Sequence, residues 1–427
     1  MPSSKPHSGG EHILSFEEAR QCVCSHANML QKVPPRSESA PLLDSLGLVL
    51  AEEIVCDRDF PPFPRATRDG YALNAEDTQI IPSELKLAGQ IRAGGDLPPG
   101  FTQVKRGQAI SIMTGAPVPA GANAVLMIEH SERLGDVIRV PRSVVPGENV
   151  VPRGSEASAG RVLINRGTRI SYPQIALAAA LGKSTVSVYR RPRIAILPTG
   201  DEVVPIDSAP ANNQIRNSNS FSLAAQVIAS GGEPIQLAIA PDEAVRLREL
   251  IAQGLECDLL LLSGGVSAGE FDLVEDALSY FSAEILFTGV QIQPGKPLVF
   301  GRTASPRASP RGWTYFFGLP GNPISTMVTF ELFASILIQG LSGVTPFRDL
   351  QGTKARLVRE VRVKTGLTRF LPARLSGSWD DAEIEPIKWQ GSGDVAAFSR
   401  ANCLLVIPPD RESFTPGEWM TVLPMQS

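Results

Sequence analysis

Residues 192–204, PRIAILPTGDEVV, decide the fold. The apolar run Arg193–Leu197 stops at Pro-Thr-Gly and two carboxylates, and the same texture returns in CDLLLLSGGVSAGEFD (257–272) and PRGWTYFFGLPGNPIS (310–325). A further apolar run, QLAIA (236–240), reads as another strand. Between and after them, NSFSLAAQVIASGG (219–232), PDEAVRLRELIAQGL (241–255), EFDLVEDALSYF (270–281) and NPISTMVTFELFASILIQG (322–340) carry apolar residues at helical spacing. Such alternation predicts βαβ units, a mostly parallel sheet covered by helices.

In an open parallel sheet, ligands bind beyond the carboxyl ends of the strands. Three Gly-rich polar loops fall there: Pro198 to Glu202, Ser263 to Asp272 and Leu319 to Ser325. Glycine lets backbone N–H groups approach an anion closely, and the following helix adds its positive dipole end. Singly, each loop reads as an ordinary turn, with Asn322-Pro323 as a helix N-cap and Pro at N1. Together, with carboxylates among them, they read as an anion-binding edge. Glu202 and Asp272 sit beside the glycines and suit Mg²⁺ bridging to phosphate or oxyanion groups. Asp242, which opens PDEAVRLREL, either joins them or caps its helix. Lys296, in QPGKPLVFG between two prolines, is suited to meet an anion as a point charge. No GxxxxGK[ST] and no GxGxxG after the first strand occur, which excludes a Walker-type hydrolase and a dinucleotide fold.

Outward from this core the chain changes texture in blocks. Ser15, with Glu18 three residues on, opens an amphipathic helix in SFEEARQCVCSHANML. Residues 59–154 are crowded with Pro, Gly and short runs such as QAISIMTG, NAVLMIEH and DVIRVPR, the punctuation of a β module. From about Gly160 to Lys183 the pattern returns to helix, with Gly182 as its C-cap residue. A helical domain in two segments, 11–58 and 155–190, is thus expected to carry an inserted β-rich domain, 59–154. The α/β domain then spans 191–343. KARLVREVRVKTG, TRFLPARLSG, NCLLVIP and EWMTVLP predict a C-terminal β-barrel or sandwich over 344–427. In the β module, Asp69-Gly70 and Thr114-Gly115 are turn-formers, and Thr114 and Asp69 are also candidates for presenting polar groups into a cleft. Glu156 is a lesser candidate of the same kind.

Length and composition agree with several domains: the chain has 427 residues, 43% of them hydrophobic, too many for one core. Lys and Arg total 40 against 44 Asp and Glu, a net charge of −4, so no global basic field draws nucleic acid or anionic lipid. Any anionic ligand is held locally. The five cysteines are scattered without CxxC spacing, which predicts a reducing, cytoplasmic location. The four histidines are isolated, which leaves oxygen ligands for a metal. The start MPSSKPHSGGEH has no apolar segment behind a basic one, and no uncharged apolar stretch of 18 residues follows, so neither export nor a membrane is expected.

RATRDGYAL, IMTGAPVPAGANAV, PTGDEVV, SGGVSAGEFD, QPGKPLVFG and LPGNPIS, in this order, resemble the molybdopterin molybdenumtransferases, the family of bacterial MoeA and the C-terminal portion of gephyrin. The resemblance spans nearly the whole chain. It implies a multi-domain α/β plus β architecture: a central molybdopterin-binding α/β sheet domain similar to the molybdopterin adenylyltransferase fold, an inserted β-rich domain and a C-terminal β-barrel. It implies a homodimer that converts adenylylated molybdopterin and molybdate to molybdenum cofactor and AMP with Mg²⁺. A molybdopterin adenylyltransferase upstream and molybdoenzymes downstream are implied partners. Carried over by motif, the catalytic positions fall on Thr114, Glu202, Asp242, Asp272 and Lys296, the metal ligands among them being Glu202, Asp242 and Asp272. The pterin-binding positions fall on Gly200, Ser218, Ser263, Gly264, Gly265, Ser267, Gly269, Lys296, Pro320, Gly321, Asn322 and Pro323. Two departures stand out: the family often has KPGKP, where this chain has Gln293 in place of the first lysine, and Glu156 stands where an Asp is expected. Arg369 and Ser392, in the C-terminal domain, are further candidates for reaching the site of a partner chain. Two other readings stay open, a pterin-binding scaffold without turnover and a tungstate-inserting homologue.

Overall fold

The computed structural model describes residues 12–265, 271–304, 311–347, 349–378 and 380–425, with residues 271–273 described as backbone only. The chain forms two compact units: Glu52–Arg166 with Ala176–Lys183, and a larger one made of the residues up to Ala51, Gly167–Ile175 and everything from Ser184 on.

The smaller unit is β-rich. Its six-stranded sheet runs in the order Glu132–Leu134, Val137–Val140, Ser83–Ile91, Gln108–Ile112, Gly70–Leu73, Ala124–Met127. Apolar side chains cover both faces, Leu73 and Leu126 on one and Ile110 and Val125 on the other, as the alternation of a sheet requires. The sequence reading of Gly160–Lys183 as helix is too broad. Gly160 and Gly167 turn the chain with φ of 81° and 84°, and Val162–Ile164 is a strand paired with Ile54–Val55. The helix is confined to Tyr172–Ala180, and Gly182 terminates it with φ of 75°.

The larger unit is built on a six-stranded sheet of β1 (Arg193–Pro198), β2 (Glu233–Gln236), β3 (Leu259–Ser263), β4 (Glu284–Phe287), β5 (Val299–Ala304) and β6 (Trp313–Leu319). The order is β2-β1-β3-β6-β5-β4, with β2, β1, β3 and β6 parallel, β5 antiparallel to β6, and β4 antiparallel to β5. The sequence places one strand wrongly. QLAIA is not a strand; the chain pairs with β1 earlier, at Glu233–Gln236. Pro234 looks like a break, but on an edge strand its missing N–H costs no ladder bond. Helices Ser218–Ala229, Ala244–Leu255 and Phe271–Tyr280 cross between strands as the periodicity predicts.

A helical run from Pro323 to Ser342, with one π-turn at Phe330–Ala334, packs beneath the sheet. It is long and apolar enough to span a membrane by composition, yet 78% of its most apolar window is buried inside the protein, which makes it a core helix. Its partner is the N-terminal helix Phe16–Gln31, closed by the expected capping box: Glu18 N–H donates to Ser15 Oγ at 3.2 Å and Ser15 N–H to Glu18 Oε2 at 2.9 Å. The two helices meet at Gly340, where an added Cβ would lie 2.7 Å from the Ala27 carbonyl oxygen.

The C-terminal strands Thr353–Leu357, Thr368–Gly377, Ala382–Pro386, Cys403–Ile407 and Trp419–Pro424 close on themselves as a five-stranded barrel. The two-residue strand Ile292–Gln293 pairs with Thr368 and Arg369, which ties the barrel to the α/β domain. Because the Ala27 side of the contact is backbone, Gly340→Ala is expected to destabilise by about 1–3 kcal/mol, read as a lowered midpoint in denaturant unfolding.

Candidate functional site

The parallel strands β1, β3 and β6 end together, and their loops line one cavity of about 570 Å³ in the larger unit. From β1 come Pro198, Thr199 and Glu202; from β3, Ser263 and Gly264; from β6, Pro320, Gly321, Asn322 and Pro323. The N-terminus of the Ser218–Ala229 helix adds Asn217, Ser218 and Asn219, and the PGK loop adds Gln293 through Pro297. The barrel supplies Leu367, Trp389, Gly391 and Ser392. This is the position that the alternating pattern assigns, outside the carboxyl ends of a parallel sheet.

Glycine is required at two of these points. Gly264 has φ of 98°, and a Cβ there would meet Thr199 Oγ1 at 2.9 Å and Thr199 O at 3.0 Å. Gly295 has φ of 105°, and its Cβ would sit 2.3 Å from Thr329 Cγ2. The PGK loop therefore lies directly on the Pro323–Ser342 helical run, and the exposed Lys296 side chain extends from a backed loop into the cavity. Asn322 is the N-cap of that helix with Pro323 at N1, as read from the sequence, and Ile324 N–H donates to Ser392 O at 3.0 Å.

One amide holds the loops in register. Asn219 Nδ2 donates to Ser263 Oγ at 2.9 Å, to Gly321 O at 2.8 Å and, more weakly, to Thr326 Oγ1 at 3.4 Å. Asn217 caps the same helix by accepting from Ser220 N–H at 3.1 Å.

The cavity thus gathers Glu202, Ser218, Ser263, Gly264, Lys296, Pro320, Gly321, Asn322 and Pro323 from the sequence candidates. Gly200 lies next to it with φ of 122°, and Gly265 follows Gly264 with φ of 65°. Asp242 is exposed and outside the cavity lining, with its backbone N–H bonded to Asp201 Oδ1 at 3.1 Å. It is not the helix cap either: that position belongs to Glu243. Ser267 and Gly269 lie outside the described residues, as does the side chain of Asp272, whose backbone opens the Phe271–Tyr280 helix.

Thr114 and Asp69 belong to the smaller unit and to each other. Thr114 donates its backbone N–H at 2.6 Å and its hydroxyl at 2.7 Å to Asp69 Oδ1. These two bonds, the backbone one first, hold the Asp69 carboxyl below its ordinary range. Glu156 pairs with Arg65 at 2.9 Å in the same unit. Ser392 lines the cavity of its own chain. Arg369 is buried at 7% exposure and donates from Nε to Gln293 Oε1 at 2.8 Å, so its first partner is also within the chain.

Sequence reasoning missed Thr199, Arg216, Asn219 and Trp389. Arg216 brings a second cation to the cavity, and its signal was available in the polar cluster QIRNSNS, which runs into the start of a helix. Trp389 follows no local pattern, because only the barrel's closure brings it there.

The chain matches three family models in succession: the MoeA N-terminal region (domains I and II) over residues 14–182, a probable molybdopterin binding domain over 195–339, and the MoeA C-terminal region (domain IV) over 354–425. It is 35% identical to a molybdopterin molybdenumtransferase of Nostoc over 93% of this chain and 92% of the relative. It is 32% identical to one of Synechocystis over 88% and 91%. Among solved structures, the molybdopterin biosynthesis MoeA protein of Pyrococcus horikoshii superposes with a TM-score of 0.72 at 32% identity, covering 97% of this chain and all of that one. A cavity at the carboxyl edge of the molybdopterin-binding fold, with relatives aligned nearly end to end, makes this chain a member of the molybdopterin molybdenumtransferase family, a transferase of molybdenum cofactor biosynthesis.

Proposed function

We propose that the cavity binds adenylylated molybdopterin and molybdate and that the protein releases AMP as it forms molybdenum cofactor. The observation that carries this reading is the meeting of Lys296 and Arg216 with the loops of three parallel strands in one cavity, inside a chain of net charge −4. Cleaving a phosphoanhydride requires negative charge to be neutralised on the departing phosphate. Lys296 does so as a point charge from a rigid loop, and Arg216 offers a planar fork of donors. Ser218 and the Asn322-Pro323 helix start border the same space and fix the phosphates by their polar groups. The loops hold the two anionic reactants in one geometry, which lowers the entropic part of the barrier. Exchange of molybdate oxygens for the two dithiolene sulfurs is chemistry of the ligand.

Mg²⁺ fits as a shared ion. Among the described residues no group of three His, Cys, Asp or Glu side chains is arranged to hold a metal, and Glu202 is the carboxylate lining the cavity. Mg²⁺ is commonly held by one or two carboxylates together with substrate phosphates, which suits Glu202, with Asp272 as the other proposed ligand. When bound, it supplies Lewis-acid neutralisation of the phosphate charge.

Homodimerisation is part of the same proposal, as is action downstream of a molybdopterin adenylyltransferase and upstream of the molybdoenzymes that take the cofactor. The five cysteines form no disulfide with one another, which supports a reducing, cytoplasmic setting.

Purified protein mixed with adenylylated molybdopterin, Mg²⁺ and molybdate is expected to release AMP. No AMP above a protein-free control removes the proposal, and tight pterin binding without AMP selects the scaffold reading. Competition with tungstate in the same assay sets the oxyanion preference. Lys296→Ala is expected to lower the AMP-release rate about 10- to 100-fold, the worth of one charge-assisted hydrogen bond. Glu202→Gln is expected to raise the Mg²⁺ concentration needed for half-maximal release by about tenfold or more, read by metal titration. Light scattering is expected to give twice the mass of the 45.7 kDa chain.

A further inference from the structure

We infer that Thr199 and Asn219 form a reading pair in the cavity floor for an N–H/C=O edge of the substrate's heterocyclic ring, an inference that rests on the proposed molybdopterin substrate.

Thr199 follows β1 directly and is only 6% exposed, yet it lines the cavity. Its hydroxyl has no hydrogen-bond partner among the described residues. Its backbone N–H, by contrast, is bonded to Ser263 O at 3.1 Å, so the residue is fixed in place while its polar tip is left over. A buried hydroxyl without a partner is destabilising, and a valine of the same shape would remove that penalty. Glycine at 264 and 265 places no side chain against the buried hydroxyl. A Cβ on Gly264 would lie 2.9 Å from Thr199 Oγ1 and one on Gly265 3.0 Å from it, and both glycines have positive φ. A ligand group that enters the cavity would supply the partner that the described residues do not.

Asn219 lines the same cavity and is oriented without ambiguity. Its Nδ2 faces the carbonyl oxygen of Gly321, which can only accept, so the amide nitrogen must point there and the oxygen away. That Oδ1 is buried and, among the described residues, has no partner. An amide oxygen can meet only a donor. A fully ionised phosphate or molybdate has none to give, so the anionic part of the substrate belongs beside Lys296 and Arg216, away from Asn219. The pterin carries a ring N–H next to a ring carbonyl: the N–H suits Asn219 Oδ1, and the carbonyl suits the Thr199 hydroxyl as donor. The two residues therefore select for the neutral ring, and the cations for its phosphate.

The test is calorimetric binding of molybdopterin and of AMP to the full chain, its Thr199→Val variant and its Thr199→Ser variant, with thermal unfolding of each. Valine is expected to weaken molybdopterin about 3- to 10-fold, to leave AMP within about twofold, and to leave Tm unchanged or raised. Serine, which keeps the hydroxyl, is expected to restore most of the affinity. Equal molybdopterin affinity in wild type and valine variant overturns the inference, as does a loss confined to AMP, which would make the pair a nucleotide reader. A lowered Tm in the valine variant also overturns it, because the hydroxyl would then have a partner within the protein. For Asn219, pterin and its N3-methyl derivative serve as competitors against molybdopterin; methylation removes the donor and is expected to weaken competition about 3- to 10-fold. Equal competition overturns the Asn219 assignment. Failure of the wild-type chain to bind molybdopterin at all removes the proposed function, and this inference with it, whereas normal wild-type binding with an indifferent valine variant removes the inference alone.

Discussion

One side-chain nitrogen, Nδ2 of Asn219, touches three separate pieces of the chain: the end of β3 at Ser263, the turn after β6 at Gly321, and Thr326 one helical turn later. None of these pieces is near Asn219 in sequence. The parallel sheet brings strand ends to a common edge, but it leaves their loops free to choose conformations. A half-buried amide shared among those loops limits the choice, since alternative arrangements would give up hydrogen bonds that link three loops at once. The cavity's shape depends on this constraint more than on the sheet itself. The glycines at 264 and 295 complement it by permitting backbone approaches that side chains would forbid.

Much of this architecture is legible in the sequence because its signals are local. β1, β3 and β6 are short uninterrupted apolar runs, and a fully buried parallel strand has no other appearance. The Ser15 capping box, Asn322-Pro323 and Gly182 are determined by neighbours within a few residues. β2 escaped because Pro234 breaks the apolar texture, and only a sheet position, which is a tertiary fact, makes that proline acceptable.

The site was legible to the extent that it follows strand ends. Glu202, Ser263, Lys296 and the Leu319–Ser325 loop fall where the alternation puts them. Thr199 was passed over beside the more conspicuous Gly200 and Glu202, and Asn219 was read only as part of a helix. Their significance lies in which of their atoms are used and which are spare, a matter of three-dimensional hydrogen-bond geometry. Gln293, read as the loss of a positive charge, has a definite partner in Arg369, so its position couples the loop to the barrel.

The pairing of Ile292–Gln293 with Thr368 and Arg369 has a bearing on how the protein is made. Trp389 and Ser392, which wall the cavity, emerge during synthesis long after Thr199, Ser263 and Gly321 have done so. The α/β sheet can assemble on the ribosome, but its cavity stays an open trough until the barrel strands close. A nascent chain therefore acquires the core of the fold before it acquires a complete site.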